Sequence, residues 1–152
     1  MQFEKYEITQ SSNHESYDFF SDGPKGKIKK VIQFTKFPNT SIYNLGFGDA
    51  IIETGEIDDL VISDNKDSRK ILATVAFTVV LFLEKHPDII IFATGSTPTR
   101  TRLYQIGIAN IYHEINKEYV IMGVFGDENE PFKKNKVYDS FFVYKKSTKF
   151  EL

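Results

Sequence analysis

The sequence predicts an α+β domain in which a mixed, mainly antiparallel sheet carries two packed helices, in the order β-β-β-β-α-β-α-β-β. Three observations predict it. Short runs rich in Val, Ile, Phe and Tyr, parted by turn residues, fill the first part of the chain. The apolar period then changes from two to 3.6 residues between Asp67 and Lys85. A continuous apolar run, Ile89–Ala93, follows and leads through Gly95 into a second helix and two last strands.

The elements follow in order. Ser11–Ser16 is polar and ends a lead-in over residues 1–16, with a single domain expected over 17–152. Strands are expected at Tyr17–Phe20, Lys27–Phe37 and Ser41–Phe47, with turns at Asp22–Gly26 and Pro38–Thr40. A fourth short strand is expected at Asp59–Ile62, after the Glu53–Glu56 turn. The stripe Ile71, Leu72, Val75, Ala76, Val79, Val80, Phe82 and Leu83 is one broad helical face. Ser63 or Asp64 can cap this helix, and His86-Pro87 closes it. Ile89–Ala93 reads as a strand covered on both faces. Pro98–Ile106 is a second helix ended by Gly107, and the last strands lie near Glu118–Val124 and Val137–Tyr144, around a polar loop at Gly126–Lys136.

At 152 residues with 41% hydrophobic and 14% aromatic content, the chain can bury a full core. Its 14 Phe and absent Trp give Phe much of that core. A net charge of −2 supplies no field toward nucleic acid or membrane and argues against both as partners. Zero Cys excludes disulfides, thiolate metal sites and cysteine nucleophiles. The N-terminus is mixed and charged, and the longest greasy stretch, Ile71–Leu83, is too short to span a bilayer, so a cytoplasmic location is expected.

One segment carries chemistry. Thr94–Tyr104 turns from a buried strand into a helix: Gly95 permits a tight turn and a close approach to the backbone, Ser96 or Thr97 is placed to cap, and Pro98 suits the first helical position. Free amides and the positive end of the helix dipole favour an anion there. Gly95, Ser96, Thr97, Thr99, Arg100 and Arg102 are the candidate ligand-binding residues for a phosphate or carboxylate. Two of the chain's three arginines, Arg100 and Arg102, fall here, and a guanidinium offers a planar fork that lysine lacks. Arg100 and Tyr104 are i,i+4 neighbours on one face, whereas Arg102 points elsewhere. A helix cap with arginines paired to acids such as Glu114 or Asp59 explains the same residues structurally.

Other constellations carry less. The acidic residues Asp49, Glu53, Glu56, Asp58, Asp59, Asp64 and Asp67 match no metal-loop spacing, and no metal site is expected. His14, His86 and His113 lack ligand spacing; His86 reads as a helix end and His113 as an exposed strand residue. Ser96 lacks the nucleophile frame. Lys25, Lys27, Lys29 and Lys30 read as guards of an edge strand in preference to a phosphate-tracking patch.

The segments Ser21–Ile28, Tyr43–Asp49, Thr54–Asp59 and the motif Thr94-Gly95-Ser96-Thr97-Pro98-Thr99-Arg100-Thr101-Arg102-Leu103-Tyr104 together resemble a family of small bacterial proteins of unknown function, over almost the whole chain from Tyr17. More distantly, the element order is similar to that of the GNAT-type N-acetyltransferases. That resemblance implies acetyl-coenzyme A as cosubstrate and Tyr104 as the catalytic acid that protonates the leaving thiolate, with Thr97 where the family's Asn is usual. Ser63–Ile71, which stands where that family has its pyrophosphate loop, holds no glycine and contains Asp64 and Asp67. The leading expectation is therefore a non-enzymatic binder of a small anionic ligand without a cofactor. A divergent acyl-coenzyme A acyltransferase is the alternative. A protein-partner module, such as an antitoxin-like regulator, is a third reading, resting on small size and few catalytic groups.

Overall fold

The strands form where side chains alternate between a buried and an open side. Along β2 (Ser16–Gly23), Tyr17, Phe19 and Ser21 are buried, and on β3 (Gly26–Lys36) the buried set includes Lys30, Ile32 and Phe34. The computed structural model describes residues 4–11, 15–50 and 65–147, and the backbone of 57–58. Besides β2 and β3 it contains β1 (Thr9–Gln10), β4 (Ile42–Ala50), β5 (Ile57–Asp58), α1 (Ser68–Lys85), β6 (Ile90–Ala93), α2 (Pro98–Ile115), β7 (Tyr119–Phe125), β8 (Glu128–Pro131) and β9 (Ser140–Lys145).

These strands make one mixed sheet in the order β1-β2-β3-β4-β6-β9-β7-β8, with β5 paired to β4. Every pairing is antiparallel except that of β4 with β6. The α+β class with a mixed, mostly antiparallel sheet and two helices is thus the one the sequence predicts. The expected strand Asp59–Ile62 lies outside the described residues, and so do Ser63 and Asp64 as caps of α1. Asp67 occupies the N-cap position of α1 without a side-chain capping bond.

Both helices pack on the face that carries Leu45, Ile91, Ala93, Ile121 and Val143. In α1, two buried threonines would each leave a hydroxyl unpaired. Each bonds back instead: Thr74 Oγ1 donates to the Lys70 carbonyl at 2.7 Å and Thr78 Oγ1 to the Thr74 carbonyl at 2.8 Å. Phe82 is fully buried and its ring stacks on Phe34 at 4.1 Å between centroids. The run Ile89–Ala93, expected to be covered on both faces, is covered by helices on one. Ile91 and Ala93 are buried beneath them, while half-buried Phe92 meets the rings of Phe37 and Phe142 on the other side.

Gly107 does not end α2, which runs on to Ile115. Buried Ile111 and Ile115 continue the apolar spacing past it. Gly107 itself is the contact that lets α1 approach: a Cβ there would lie 3.3 Å from Leu72 Cβ. The polar stretch after β7 also forms structure, because β8 pairs with β7 before the chain returns to β9. Buried Phe132 at its end packs with Tyr138 and Phe141.

The C-terminal turn of α1 is latched to the sheet by Glu84, which accepts a hydrogen bond from the Tyr119 hydroxyl and pairs with Lys145 Nζ at 3.1 Å. The Tyr119 bond, then Lys145, hold the Glu84 carboxyl below its ordinary 4.5. Burial, helped by Glu84, pushes the Tyr119 hydroxyl above its ordinary 10.0. The carboxylate contribution is full above 4.5 and is lost as pH falls through the lowered folded-state value; the phenol contribution is full below 10.0 and is lost as pH rises beyond it. Urea melts across pH should therefore show stability falling below 4.5. Glu84→Gln should flatten part of that acid slope, and an unchanged slope would remove Glu84 from the account.

Candidate functional site

The parallel pair β4/β6 creates the site. The two strands are in register from Ile42 with Ile90 to Leu45 with Ala93. There β6 ends and the chain leaves through Thr94–Thr97 into α2, whereas β4 continues to Ala50. A cleft of about 310 Å³ opens between the far half of β4, the start of α1 and the first turns of α2. Phe47 and Asp49 line it from β4, Asp67 and Leu72 from the α1 side, and Thr99, Arg100 and Tyr104 from α2.

The first turn of α2 is built as the sequence predicts. Thr97 is extended at the N-cap, its Oγ1 accepts the Arg100 N–H at 3.2 Å, and Pro98 follows at the first helical position. The Thr97 and Thr99 amides have no acceptor among the described residues. Gly95 is packed closely against the first turn of α2. Its N–H donates to Thr101 Oγ1 at 2.9 Å, and a Cβ on it would lie 2.4 Å from the Thr101 nitrogen. The close approach it permits is that of α2's own backbone.

The candidate residues divide over two sides of α2. Arg100 and Tyr104 face the 310 Å³ cleft together, one helical turn apart. Gly95, Ser96, Thr97 and Arg102 line a separate groove of about 450 Å³, with Tyr138 and Asp139 across from them; Thr99 borders both spaces. Thr94 Oγ1 donates to the Asp139 carbonyl at 2.9 Å across the mouth of that groove. Arg102 is exposed and makes no ion pair among the described residues. The two arginines therefore serve different spaces.

Sequence reasoning missed Lys30. Far from guarding an edge, β3 lies inside the sheet between β2 and β4. Lys30 is 5% exposed, lines the cleft and forms an ion pair with Asp49, its cross-strand partner on β4. The signal was its phase: at two-residue spacing Lys30 falls with Ile28, Ile32 and Phe34, on the inward side. A buried ion pair is costly to break, because either charge left alone stays desolvated.

A polar network closes the α1 end of the cleft. Asp67 Oδ2 accepts from the Tyr6 hydroxyl at 2.6 Å and from Ser21 Oγ at 2.5 Å. Buried Asn65 donates through Nδ2 to Ser21 Oγ at 3.1 Å and to the Gly26 carbonyl at 2.8 Å, and accepts the Lys25 N–H at 2.7 Å. Asp67 Oδ1 is buried with no hydrogen-bond partner among the described residues. These bonds join residues far apart in the chain, so no local pattern announced them.

No group of three or more His, Asp or Glu side chains converges among the described residues, and Glu53, Glu56, Asp59, Asp64 and His14 lie outside them. His86 caps the end of α1, donating its N–H to the Phe82 carbonyl at 2.9 Å, with its ring on Phe82. His113 sits on the exposed side of α2, not on a strand, because α2 extends past Gly107. Among the described residues, no helix is long and apolar enough to cross a membrane.

Fold and cleft together define an α+β domain with an opening of about 310 Å³ where β4 and β6, the one parallel pair among the described strands, part. The chain matches DUF6934, a family of unknown function, over residues 2–146 and belongs to that family. No curated protein and no solved structure matches it.

Proposed function

We propose that the protein is a non-enzymatic, cytoplasmic binding module for a small ligand bearing a phosphate or carboxylate, held in the cleft beside the first turn of α2. The observation that carries this reading is the placement of Arg100 and Thr99 on one cleft wall, at a solvent-facing helix start whose Thr97 and Thr99 amides have no acceptor among the described residues. Buried Lys30 and Asp49 line the same cleft as an ion pair, Asp67 lines it from the α1 side with Oδ2 held by Tyr6 and Ser21, and Tyr104 adds a hydroxyl-bearing ring. Calorimetric titration with inorganic phosphate tests it. Arg100→Ala is expected to weaken binding by ~1.5–3 kcal/mol, the worth of a charge-assisted hydrogen bond. Equal affinity in a folded variant would remove Arg100 from the site.

A second reading, a divergent GNAT-like acyltransferase, is favoured by one observation. The cleft sits where parallel β4 and β6 part, with the starts of α1 and α2 on its rim and Tyr104 in its wall as a proton donor to a leaving thiolate. Against a pyrophosphate at α1 stand the absence of glycine from Ser63–Ile71 and the carboxylate of Asp67 at the N-cap. Acetyl-coenzyme A decides between the two. A saturable thermal shift and acyl transfer lost in Tyr104→Phe would establish the enzyme; no shift would leave the binding module.

A further inference from the structure

Another face of α2 borders a groove of its own. Arg102, Ile106 and Ala109 are spaced i, i+4 and i+7 and so share one side of the helix. That side meets the loop between Phe132 and Tyr138, both buried, and together they line a groove of about 220 Å³. No residue lines both this groove and the cleft beside Arg100. Gln105, 7% exposed, ties the loop to the helix: its Nε2 donates to the Lys136 carbonyl and, at 3.4 Å, to the Lys134 carbonyl. Its Oε1 accepts no hydrogen bond among the described residues and is not sealed from solvent.

The charges on this groove are of one sign. Arg102 and Lys134 are exposed and make no ion pair among the described residues, while Lys136 pairs with Glu130 at 3.1 Å. No carboxylate lines the groove, although acids outnumber bases 21 to 19 in the chain. Its apolar part is left open. Val137 is 74% exposed, the most of any large apolar side chain among the described residues, and Ile106 is 44% exposed. Open apolar side chains rimmed by charge are what an interaction site presents. At roughly 30 Å³ per water-sized group, the groove admits about seven, the size of one large side chain.

We infer that this groove docks an acidic segment of a partner protein, with one bulky apolar side chain seated against Ile106 and Val137 and flanking carboxylates on Arg102 and Lys134. Charge complementarity selects the acid, because an acidic segment neutralises two unbalanced cations and a basic one is repelled by them. Gln105 Oε1, held in place through its own amide nitrogen, offers the segment's backbone an acceptor. No aromatic residue lines the groove, so a nucleic acid finds no ring on which to stack a base. A recess for one side chain is also unlike the long apolar face with which a helix lies on a bilayer. The site is separate from the cleft, and the inference stands or falls without the anion-binding reading.

Fluorescence anisotropy of the full chain with three labelled peptides tests it: Asp-Glu-Asp-Leu-Asp-Glu-Asp, the same peptide with Ser for the central Leu, and the same peptide with Lys for every acid. The Leu peptide should bind saturably and about tenfold more tightly than the Ser peptide, and the Lys peptide should not bind. Lys134→Glu and Arg102→Glu should each weaken the Leu peptide by about tenfold, the more so at low salt. Val137→Ser should bring the Leu peptide down toward the Ser peptide. All three side chains are exposed, and thermal melts check that the variants are folded. No saturable binding of the Leu peptide up to about 1 mM overturns the inference. So does equal binding of the Leu and Ser peptides, or a Lys134→Glu variant that binds as the parent does. If an oligonucleotide or phosphatidylserine vesicles bind in a Lys134-dependent way while no peptide does, the groove belongs to another kind of polyanion and the inference fails. It fails equally if no peptide binds and the chain is a dimer that Val137→Ser dissociates, which would give the groove to a second copy.

Discussion

Gly95→Ala is expected to destabilise the protein by about 1–3 kcal/mol or more and to disorganise the start of α2, because the new methyl has nowhere to go. Its Cβ would lie 2.4 Å from the Thr101 nitrogen and 2.6 Å from the Arg100 carbonyl carbon. Both are backbone atoms, so no side chain can swing aside. The helix start must move, and it takes with it the Gly95 N–H bond to Thr101 Oγ1 and the placement of Thr99 and Arg100 on the cleft wall. Gly107→Ala is the matched control. Its Cβ would lie 3.3 Å from Leu72 Cβ, a contact that a shift of α1 by a few tenths of an ångström relieves, and alanine is the better helix former by about 1 kcal/mol. Urea melts of the two variants, with phosphate titration of each, should separate them: Gly95→Ala loses stability and binding, Gly107→Ala stays within about 1 kcal/mol of the parent. A Gly95→Ala variant as stable as the parent would show that the strand-to-helix turn is not packed as described.

Phe82→Ala should cost about 3–5 kcal/mol, a large share of the roughly 5–15 kcal/mol that holds a domain together. The ring is fully buried, stacked on Phe34 at 4.1 Å and in edge contact with Tyr43 at 5.4 Å, with His86 at 4.5 Å closing the end of α1 over it. Removing it opens a cavity walled by rigid rings on β3 and β4, which cannot collapse as aliphatic chains can. It also loosens the docking of α1, whose other end borders the cleft. Phe20→Ala is the comparison: Phe20 is 52% exposed, and its truncation should change stability by no more than about 0.5 kcal/mol. A loss below about 1 kcal/mol for Phe82→Ala would mean that the α1–sheet contact does not carry the core.

The helix start at α2 was readable because its determinants are local: a capping Thr97, Pro98 at the first position, and Arg100 and Tyr104 four apart on one face. Gly107 misled for the opposite reason. A glycine after an apolar stripe is a local stop signal, but Leu72 of α1, distant in sequence, makes it a packing position that helix geometry tolerates. Lys30 was grouped with its charged neighbours, although strand phase sets it with Ile32 and Phe34; its partner Asp49 becomes visible only once β3 and β4 are in register. The meeting of Tyr6, Ser21 and Asp67 requires three separate segments to converge, and nothing in any one of them signals the other two. The two-space arrangement around α2 depends on where β6 stops relative to β4, a difference of strand length that periodicity alone does not fix.

The most direct test is an amide chemical-shift titration of the isotope-labelled full chain with inorganic phosphate. Saturable shifts at the amides of Thr99, Arg100 and Tyr104, abolished in Arg100→Ala, are the expected result. Shifts confined to surface lysines such as Lys27 and Lys29, or no saturable shift at the α2 start, would contradict the cleft as an anion site.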